Sequence, residues 1–201
     1  MSVLDKFIAA VTPPESAKAR ADARRKAQQA AGDNDWLALI LEHHLQIEAA
    51  FESVKSAASA PVQRAAQKQL AALLTGHSVA EEAVIYPALV SVDEKAHSTK
   101  AYTEQSAAKV QLGLLEDLEP LTQDYLDKLE HLRGAVAHHV YEEEGTWFLE
   151  LKDKLLPVDQ ERLTERYREE FLRYMGVTEP SASVTPVRRP QVGLGTSGQL
   201  R

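Results

Sequence analysis

The amino-acid sequence predicts an all-α fold: an antiparallel up-down four-helix bundle with an N-terminal helical arm, a fifth C-terminal helix and a disordered tail. Long runs rich in Ala, Leu, Glu and Lys favour helices, and aromatic residues make up 6% of the chain. Four long segments carry apolar residues at helical spacing. Short linkers join these segments, which is typical of an antiparallel bundle.

The first 31 residues form the predicted arm. Apolar residues recur at helical spacing over residues 3–11 and predict a short amphipathic helix, which Pro13-Pro14 ends. Packing on the protein body is a simpler role for this small apolar stripe than dimerisation or membrane contact. Residues 15–31 are Ala-rich and basic, so we expect a solvated surface helix or a partly disordered segment.

Residues 32–156 hold the predicted bundle. Asp35 offers an N-cap to the first helix, and Pro61 suits the first turn of the second. We expect bundle helices at about residues 35–59, 61–86 or 61–90, 94–118 and 122–155. Pro157 then begins a fifth helix over residues 157–175. Residues 176–201 are dominated by Pro, Ser, Thr and Gly and are predicted to be disordered.

Composition argues against several classes of protein. The formal net charge of −7 argues against a general nucleic-acid-binding surface, so no nucleic acid is expected as a partner. The chain has no cysteine, which excludes disulfides and thiolate metal sites. No apolar run reaches the ~18 residues of a membrane span. Asp5 and Lys6 interrupt the first apolar stretch and make it a poor signal peptide, so the simplest expected location is the cytoplasm.

Two near copies of one motif occur in the second and fourth predicted helices. Each copy begins with a His, has Glu-Glu four residues later and an aromatic residue nine after the His; the pairs are His77 with Glu81 and His139 with Glu143. A His and a Glu four residues apart lie on one face of a helix. Both pairs, together with His44, interrupt apolar stripes, so five ionisable groups would point into one core. A metal cation is the expected common partner, because imidazole and carboxylate together suit iron, manganese or zinc.

The choice between adjacent histidines depends on their helical neighbours. His44 has apolar residues three and seven positions away on both sides, whereas His43 has Gln46 three positions away. His139 is preferred to His138 for a similar reason. His43 and His138 are therefore expected beside the site, either exposed or orienting a ligand. A network of salt bridges and hydrogen bonds without metal is the competing interpretation of the five inward groups.

Three patterns carry a resemblance to a known family. They are Leu41-Glu42-His43-His44, then His77-x-x-x-Glu81-Glu82 ending in Tyr86-Pro87, and His139-x-x-x-Glu143-Glu144 ending in Trp147-Phe148. Over about residues 36–155 the chain resembles the hemerythrin-like family, or HHE cation-binding domains. The resemblance implies a four-helix bundle with a non-haem di-iron centre, in which the two glutamates bridge the irons and the histidines cap them. Members of this family bind or sense oxygen, handle nitric oxide or peroxide, store iron or repair iron centres.

The third predicted helix departs from the family pattern, which has a histidine there. Gln105 stands in that place, and an amide is a poor iron ligand. Glu104 or Tyr102 could donate an oxygen instead, or Gln105 could orient a bound water or a bridging carboxylate. The ligand set is thus three histidines and two carboxylates, fewer than an oxygen carrier of this family uses, which argues against reversible oxygen transport.

Aromatic and histidine residues near the motifs have simpler expected roles. Tyr86 should pack at the end of the second helix. Trp147 lies one turn beyond Glu143 and is expected to cap the site as an apolar lid, with plain core packing as the alternative. His97 and His131 are expected to be ordinary residues of helix surfaces.

Three functional hypotheses follow from the sequence. The first is an iron-binding protein that binds or senses oxygen, nitric oxide or peroxide, for instance in a stress response. The second is a di-iron redox enzyme that removes peroxide or nitric oxide or repairs iron centres. The third is a helical interaction protein without metal. The sequence does not specify the oligomeric state.

Overall fold

The computed structural model describes residues 15–176 of the 201-residue chain, and all regular secondary structure there is helical. The helix predicted at residues 3–11 and the tail predicted to be disordered beyond residue 176 lie outside the described residues. The α-helices are α1 (Ala17–Ala30), α2 (Trp36–Lys55), α3 (Ala60–Ala80), α4 (Tyr86–Ser91), α5 (Lys95–Glu116), α6 (Gln123–Glu142), α7 (Phe148–Lys154) and α8 (Pro157–Met175). Two π-helical turns, π1 (Glu81–Ile85) and π2 (Glu143–Trp147), connect α3 to α4 and α6 to α7.

Local sequence explains where several helices begin and end. The Asp35 carboxylate accepts a hydrogen bond from the Ala38 N–H at 2.9 Å and caps α2, and the Thr122 hydroxyl caps α6 in the same way. Pro157 occupies the first position of α8, where its missing N–H leaves no helical bond unmade. Gly176 ends α8 with a φ of 69°, a left-handed conformation that glycine adopts without strain.

The bundle is built from neighbouring pairs of helices. α2 packs on α3 and α5 packs on α6, while α2 also contacts α6 and α3 contacts α5. α8 packs on both α2 and α3. It approaches α3 closely at Gly76, where an added Cβ would come within 2.9 Å of the Tyr174 ring and 3.2 Å of the Met175 sulfur. None of the helices in residues 15–176 has the length and hydropathy needed to cross a lipid bilayer.

Two apolar clusters fill the bundle, with buried polar residues between them. The first cluster includes Leu41 and Phe148, and the second includes Ile47 and Tyr125. On α2, the buried His44 lies between Leu41 of the first cluster and Ile47 of the second. Polar groups in such a layer are shielded from water, so each must find its partner inside the protein.

α1 is more closely packed than its composition predicts. The expected surface helix is present, but Ala23 and Ala27 are buried, and α1 contacts both α2 and π2. The small alanine side chains allow this approach without large apolar residues. The buried face of α1 was not predicted because it consists of alanines and not of large apolar residues.

Candidate metal centre

The π turns fall on the two glutamates of the repeated motif. In π1 the Tyr86 N–H donates to the Glu81 carbonyl, and in π2 the Phe148 N–H donates to the Glu143 carbonyl. These hydrogen bonds span five residues instead of the four of an α-helix. Single π turns often occur at functional sites. The predicted second and fourth helices were treated as continuous α-helices, so both interruptions are a correction to that expectation.

Four buried side chains bring their ligand atoms together. One nitrogen or oxygen atom from each of His44, His77, Glu81 and Glu143 lies within 4.8 Å of the corresponding atoms of the other three. His77 is 2% exposed and the other three are completely buried. Four of the five residues expected from the sequence to be ligands therefore meet in one group of imidazoles and carboxylates, which are donors that first-row transition metals accept.

The fifth residue, His139, joins this group through Glu143. His139 Nε2 is 3.2 Å from Glu143 Oε1, as His77 Nε2 is 3.2 Å from Glu81 Oε2. His44 Nε2 lies 3.4 Å from the other oxygen of Glu143, Oε2. All three histidines thus direct Nε2 toward the two carboxylates, and Glu143 offers a different oxygen to each of two histidines.

The second ring nitrogen of each histidine contacts a residue from a distant part of the chain. His44 Nδ1 lies 2.8 Å from Glu144 Oε1, His77 Nδ1 lies 3.1 Å from Tyr167 Oη, and His139 Nδ1 lies 2.9 Å from Glu104 Oε2. A proton on Nδ1 would leave the Nε2 lone pair free to face the carboxylates. Partners of this kind fix the orientation and tautomer of metal-binding histidines. Glu104 is a candidate ligand from the sequence, whereas in the structure it contacts Nδ1 of His139, on the side of the ring away from Glu143.

Glu144 connects the centre to α1 and was not predicted from the sequence. The Arg24 guanidinium donates to Glu144 Oε1 from Nε at 3.0 Å and from Nη2 at 2.8 Å, while Nη1 donates to Glu48 at 2.9 Å. Burial alone would lower the pKa of Arg24, but these two carboxylates hold it above its usual value. Glu144 is 1% exposed, so Arg24 balances a buried charge beside His44. The Glu-Glu doublet of the motif was the signal that could have identified Glu144.

Gln105 reaches the centre at the position where the family pattern has a histidine. Its Nε2 donates to Glu81 Oε2 at 2.6 Å, which matches the interpretation that its amide orients a carboxylate. Tyr102, the other oxygen donor considered on this helix, instead donates to the Glu82 carbonyl at 2.6 Å. The Tyr102 hydroxyl is therefore directed away from the ligand group.

His43 and His138 lie beside the ligand group. His43 Nδ1 is 2.8 Å from Tyr167 Oη, the hydroxyl that also contacts His77. His138 pairs with Glu15, at the residue that leads into α1. His43 is thus joined to His77 through the Tyr167 hydroxyl, whereas His138 holds the start of α1 on the bundle.

Tyr86 contributes a hydroxyl to the centre. Its ring is completely buried, and Oη lies 2.9 Å from Glu143 Oε1, 3.1 Å from His139 Nε2 and 3.2 Å from Glu81 Oε2. The expectation that Tyr86 only packs at the end of the second helix was therefore incomplete. A residue nine positions after His77 would lie on the opposite face of a regular α-helix, so periodicity gave no reason to place it here.

Trp147 packs against the imidazole ring of His139. Its ring contacts the His139 ring edge-on, with centroids 5.8 Å apart, and stacks on the His97 ring at 5.6 Å. Trp147 is 3% exposed. Trp147 therefore packs between the His139 and His97 rings, which is consistent with either a lid or core packing, and His97 is half-buried instead of lying on the surface as expected.

The two glutamates of the motif differ in protonation. Burial and the charge of Glu143 raise the pKa of Glu81 to about 8. Burial acts on Glu143 in the same direction, but the positive charges of the adjacent His139 and His44 outweigh burial and hold the pKa of Glu143 well below the usual range. At neutral pH the metal-free protein therefore holds Glu81 protonated and Glu143 ionised, because two neighbouring buried carboxylates resist carrying two charges.

The histidines also divide into two states. Burial alone would lower the pKa of His44, but the Glu143 and Glu144 carboxylates outweigh burial and raise the pKa of His44 to about 9. Burial and the charge of His44 keep the pKa of His77 well below its usual value. At His139, burial is again outweighed by Glu143, and the pKa is well above the usual value. Protons on His44, His139 and Glu81 thus occupy the centre in the absence of a cation.

Several atoms of the centre lack a hydrogen-bond partner. Among the described residues, His44 Nε2, Glu81 Oε1, Gln105 Oε1 and Glu143 Oε2 are buried and unpartnered. His44 Nε2 and Glu143 Oε2 are close, at 3.4 Å, but not aligned for a hydrogen bond. A buried polar atom left unpaired costs about 1–3 kcal/mol. A cation held by His44, Glu81 and Glu143 would give these three side chains a common partner, so the donor set fits a metal ion.

A small cavity adjoins the ligand group between α3, α5 and α6. Its volume is about 20 Å³, and His77, Gln105 and His139 supply polar groups to a lining that is otherwise mainly apolar. Such a volume accommodates one molecule of about the size of water. A wider groove of about 540 Å³ between α1, α2 and α6 is bordered by Arg24 and Glu144.

Two further groups combine histidine with carboxylates, but lysines balance them. They are Glu94 with His97 and Glu150, and Glu104 with His138 and Glu142. Lys154 pairs with Glu94, and Lys100 pairs with Glu142 at 2.5 Å. Both groups are half-buried, so water and lysine can compensate their charges.

A helical bundle that buries a joined set of histidines and glutamates defines a cation-binding helical protein. The profile of the hemerythrin HHE cation-binding domain matches residues 36–151. The chain therefore belongs to the hemerythrin HHE family, and the resemblance seen in the sequence is confirmed.

Among characterised proteins, the chain is similar to a DNA nickase from Nostoc sp. strain PCC 7120. The two are 32% identical over 98 residues, which make up 49% of this chain and 27% of the nickase. The chain thus spans about a quarter of the length of this relative. No solved structure gave a significant match.

Proposed function

We propose that this protein is a non-haem iron protein whose di-iron centre binds or senses a small ligand or oxidant, such as oxygen, nitric oxide or peroxide. The proposed ligands are His44, His77, Glu81, His139 and Glu143. Family membership and the buried group of histidines and glutamates support a bound metal cation. Iron, and two ions of it, are the further step that we propose.

The unpartnered ligand atoms carry this proposal. A bound cation would displace the protons that neutralise the metal-free centre and would coordinate those atoms. Glu143 directs one oxygen to His44 and the other to His139, which favours two ions that share a carboxylate. Imidazole and carboxylate suit iron but also manganese or zinc, so the identity of the metal is for elemental analysis to establish.

The residues around the centre would hold and protect it. Glu144, Tyr167 and Glu104 orient the three histidines through Nδ1. The apolar clusters on both sides keep bulk water away, and the cavity of about 20 Å³ admits only a very small ligand. Bound iron would supply the coordination position at which such a ligand attaches.

We also propose the domain organisation and the location. Residues 32–156 would form the hemerythrin-like domain, an antiparallel up-down four-helix bundle. An N-terminal arm (1–31) would precede it, and a C-terminal helix (157–175) and a tail (176–201) would follow. Limited proteolysis checks this division. Cell fractionation checks the proposed cytoplasmic location.

Metal analysis with visible spectroscopy tests the iron proposal. Untagged protein loaded with iron anaerobically should hold about two irons per chain, and the double variant His77→Ala, His139→Ala should hold almost none. His131→Ala is a matched control, because His131 is exposed and lies outside the centre. Wild-type protein without stoichiometric metal would favour the metal-free interaction protein, in which the buried groups satisfy one another.

A second candidate is a di-iron redox enzyme that removes peroxide or nitric oxide or repairs iron centres. Gln105 favours it, because an amide in place of a histidine leaves one strong ligand fewer and a position for substrate. Repeated turnover of peroxide by iron-loaded protein, reduced in Gln105→His, would support this candidate. Stoichiometric binding without turnover would favour the binding protein.

The nickase relative makes DNA cleavage a third reaction to test. The proposed ligands are all buried, with His139 the most exposed at 7%, and the net charge is −7. A DNA backbone therefore has no direct access to the centre, and the protein has no excess of positive charge to attract it. We expect no nicking of supercoiled plasmid by metal-loaded protein under anaerobic conditions. Nicking that is lost in His77→Ala would contradict this expectation.

A further inference from the structure

We infer that Tyr86 is a ligand of the metal centre, and that its phenolic oxygen supplies the donor missing from α5, where Gln105 replaces a histidine. This inference rests on the proposed metal-binding function and deepens it. The repeated motif has an aromatic residue at this position, which is Phe148 in the second copy, so the contacts of the Tyr86 hydroxyl are what assign it this role.

Three ligand atoms converge on the Tyr86 hydroxyl. Oη lies 2.9 Å from Glu143 Oε1, 3.2 Å from Glu81 Oε2 and 3.1 Å from His139 Nε2. A phenol has one proton to donate, yet oxygens of both Glu81 and Glu143 lie within hydrogen-bond distance of the Tyr86 hydroxyl. Three oxygens and an imidazole nitrogen in such proximity resemble the donor set of a cation.

The donors around the Tyr86 hydroxyl include one histidine, whereas the four-residue group of His44, His77, Glu81 and Glu143 includes two. His44 and His77 both belong to the four-residue group, whereas His139 is the one histidine beside Tyr86. Glu143 serves both sets, since His44 faces its Oε2 and His139 faces its Oε1. If two ions shared the carboxylates, one would have two histidine ligands and the other would have His139 alone. The Tyr86 oxygen would then replace the second histidine of the latter ion.

The π turn explains how Tyr86 reaches this position. An α-helix turns by about 100° per residue, so a residue nine positions after His77 would be about 180° from it. In π1 the Tyr86 N–H bonds to the carbonyl of Glu81, five residues back, which adds one residue to the turn. The extra residue reduces the rotation between His77 and Tyr86 and returns the ring to the inner face.

The second copy of the motif shows that the hydroxyl is not needed for packing. Phe148 is the counterpart of Tyr86, nine residues after His139, and it follows π2 as Tyr86 follows π1. Both rings are completely buried. Phe148 packs edge-on against Trp36 with ring centroids 5.7 Å apart. A phenyl ring therefore satisfies this position, and a buried hydroxyl adds a desolvation cost that needs a polar partner.

A phenolate is a suitable donor for the proposed metal. When the oxygen–metal bond forms, the phenol proton passes to water and the oxygen becomes an anionic ligand. Tyrosine oxygen is an established ligand of ferric iron in proteins. Ferric phenolates absorb visible light by charge transfer, and excitation of that band enhances tyrosine ring vibrations in resonance Raman spectra. Carboxylate and imidazole ligands do not produce those vibrations.

The test compares iron content and resonance Raman spectra of wild-type protein, Tyr86→Phe and the control variant Tyr102→Phe. Wild-type protein loaded with iron and oxidised should show the tyrosine vibrations. Tyr86→Phe should lose them and fall from about two irons per chain to about one. Tyr102→Phe removes the hydroxyl of the ring that packs against the Tyr86 ring, and it should keep the vibrations and the iron.

Each outcome distinguishes the inference from the proposed function. Iron-containing wild-type protein without tyrosine vibrations would overturn the inference alone. Vibrations that survive in Tyr86→Phe, or vanish only in a control variant, would also overturn it. Wild-type protein that binds no iron would overturn both. Because Phe148 shows that a phenyl ring fits the equivalent position, Tyr86→Phe should fold, and the wild-type spectrum decides the matter if it does not.

Discussion

The two copies of the His-x-x-x-Glu motif share their sequence pattern and their π turn, yet their histidines and glutamates differ in protonation. In the first copy the pKa of His77 is lowered by burial and the charge of His44, and that of Glu81 is raised by burial and the charge of Glu143. In the second copy the opposite charges of His139 and Glu143 outweigh burial. The pKa of His139 is therefore raised and that of Glu143 lowered, so that both residues are charged. One pair is therefore neutral without metal and the other is an ion pair.

The difference arises from neighbours outside the motif. His77 contacts the neutral Tyr167 hydroxyl, whereas His139 contacts the Glu104 carboxylate. Glu143 also receives the positive charge of His44. The repeated pattern thus determines which atoms point inward, and the residues packed behind them determine which atoms hold a proton. Geometry can repeat in a protein while its electrostatics do not.

The largest expected effect is on the stability of the metal-free protein. Glu81→Gln should change it little, because the amide resembles the protonated carboxyl already present. Glu143→Gln should lower the free energy of unfolding by about 3–5 kcal/mol, because two charged histidines lose their buried counter-charge. Chemical denaturation of both variants after chelation gives the comparison. Equal losses would mean that the two glutamates carry the same charge.

The next effect concerns the residues behind the histidines. Glu104→Gln and Tyr167→Phe should each lower metal affinity by about 10–100-fold, since each removes a hydrogen bond that orients a ligand. Glu104→Gln should have the larger effect because it also removes a charge. Competition with a chelator measures the affinities. Glu130→Gln is the control, since Glu130 pairs with Arg133 away from the centre, and an equal loss there would show a general effect.

A smaller effect on metal affinity is expected from the residues that pair with Glu144 and Glu82, the second glutamates of the two Glu-Glu doublets. Glu144 is buried against His44 and held by Arg24, whereas Glu82 pairs with Lys109 at 2.6 Å in a half-buried position. Arg24→Ala should therefore lower metal affinity by up to about tenfold, and Lys109→Ala should leave it unchanged. Equal affinities in the two variants would mean that α1 has no influence on the centre.

The smallest effect is a fall in stability of the metal-free protein at alkaline pH. The raised pKa values of Glu81 (about 8) and His44 (about 9) stabilise the fold fully below their ordinary values. This contribution disappears as pH rises through about 8 and 9, because the folded state then loses protons that it bound more tightly than the unfolded chain. Tm should fall by a few degrees between pH 8 and pH 9, at about 3 °C per kcal/mol.

The Glu81→Gln variant provides the control for that pH series. Its amide cannot lose a proton, so its Tm should fall less over the same range, with His44 supplying the remainder. Calorimetry of both proteins after chelation makes the measurement. A Tm that rises toward pH 9 in the wild-type protein would contradict the assigned protonation.

Much of the fold and the ligand group could be predicted because periodicity reports burial. The third bundle helix was expected at about residues 94–118 and is found at Lys95–Glu116. The five expected ligand residues were chosen because they interrupt apolar stripes, and all of them are buried in one connected group. The same logic separated His44 from His43, which lies behind the ligand group.

The rest could not be predicted because it depends on contacts between distant segments and on irregular backbone. Tyr167 is 90 positions from His77, and Arg24 is 120 positions from Glu144. No local pattern relates residues so far apart. Tyr86 was missed because periodicity assumes a constant rotation per residue, which π1 breaks.

Each π turn shifts the register of its helix by one residue. Residues before Glu81 and residues after Ile85 follow two registers that differ by one position. If the same sequence continued as a regular α-helix without π1, Tyr86 would be turned away from its present direction by about 100°. A single π turn in a buried helix is thus sufficient to present to a core a polar side chain that helical periodicity would direct elsewhere.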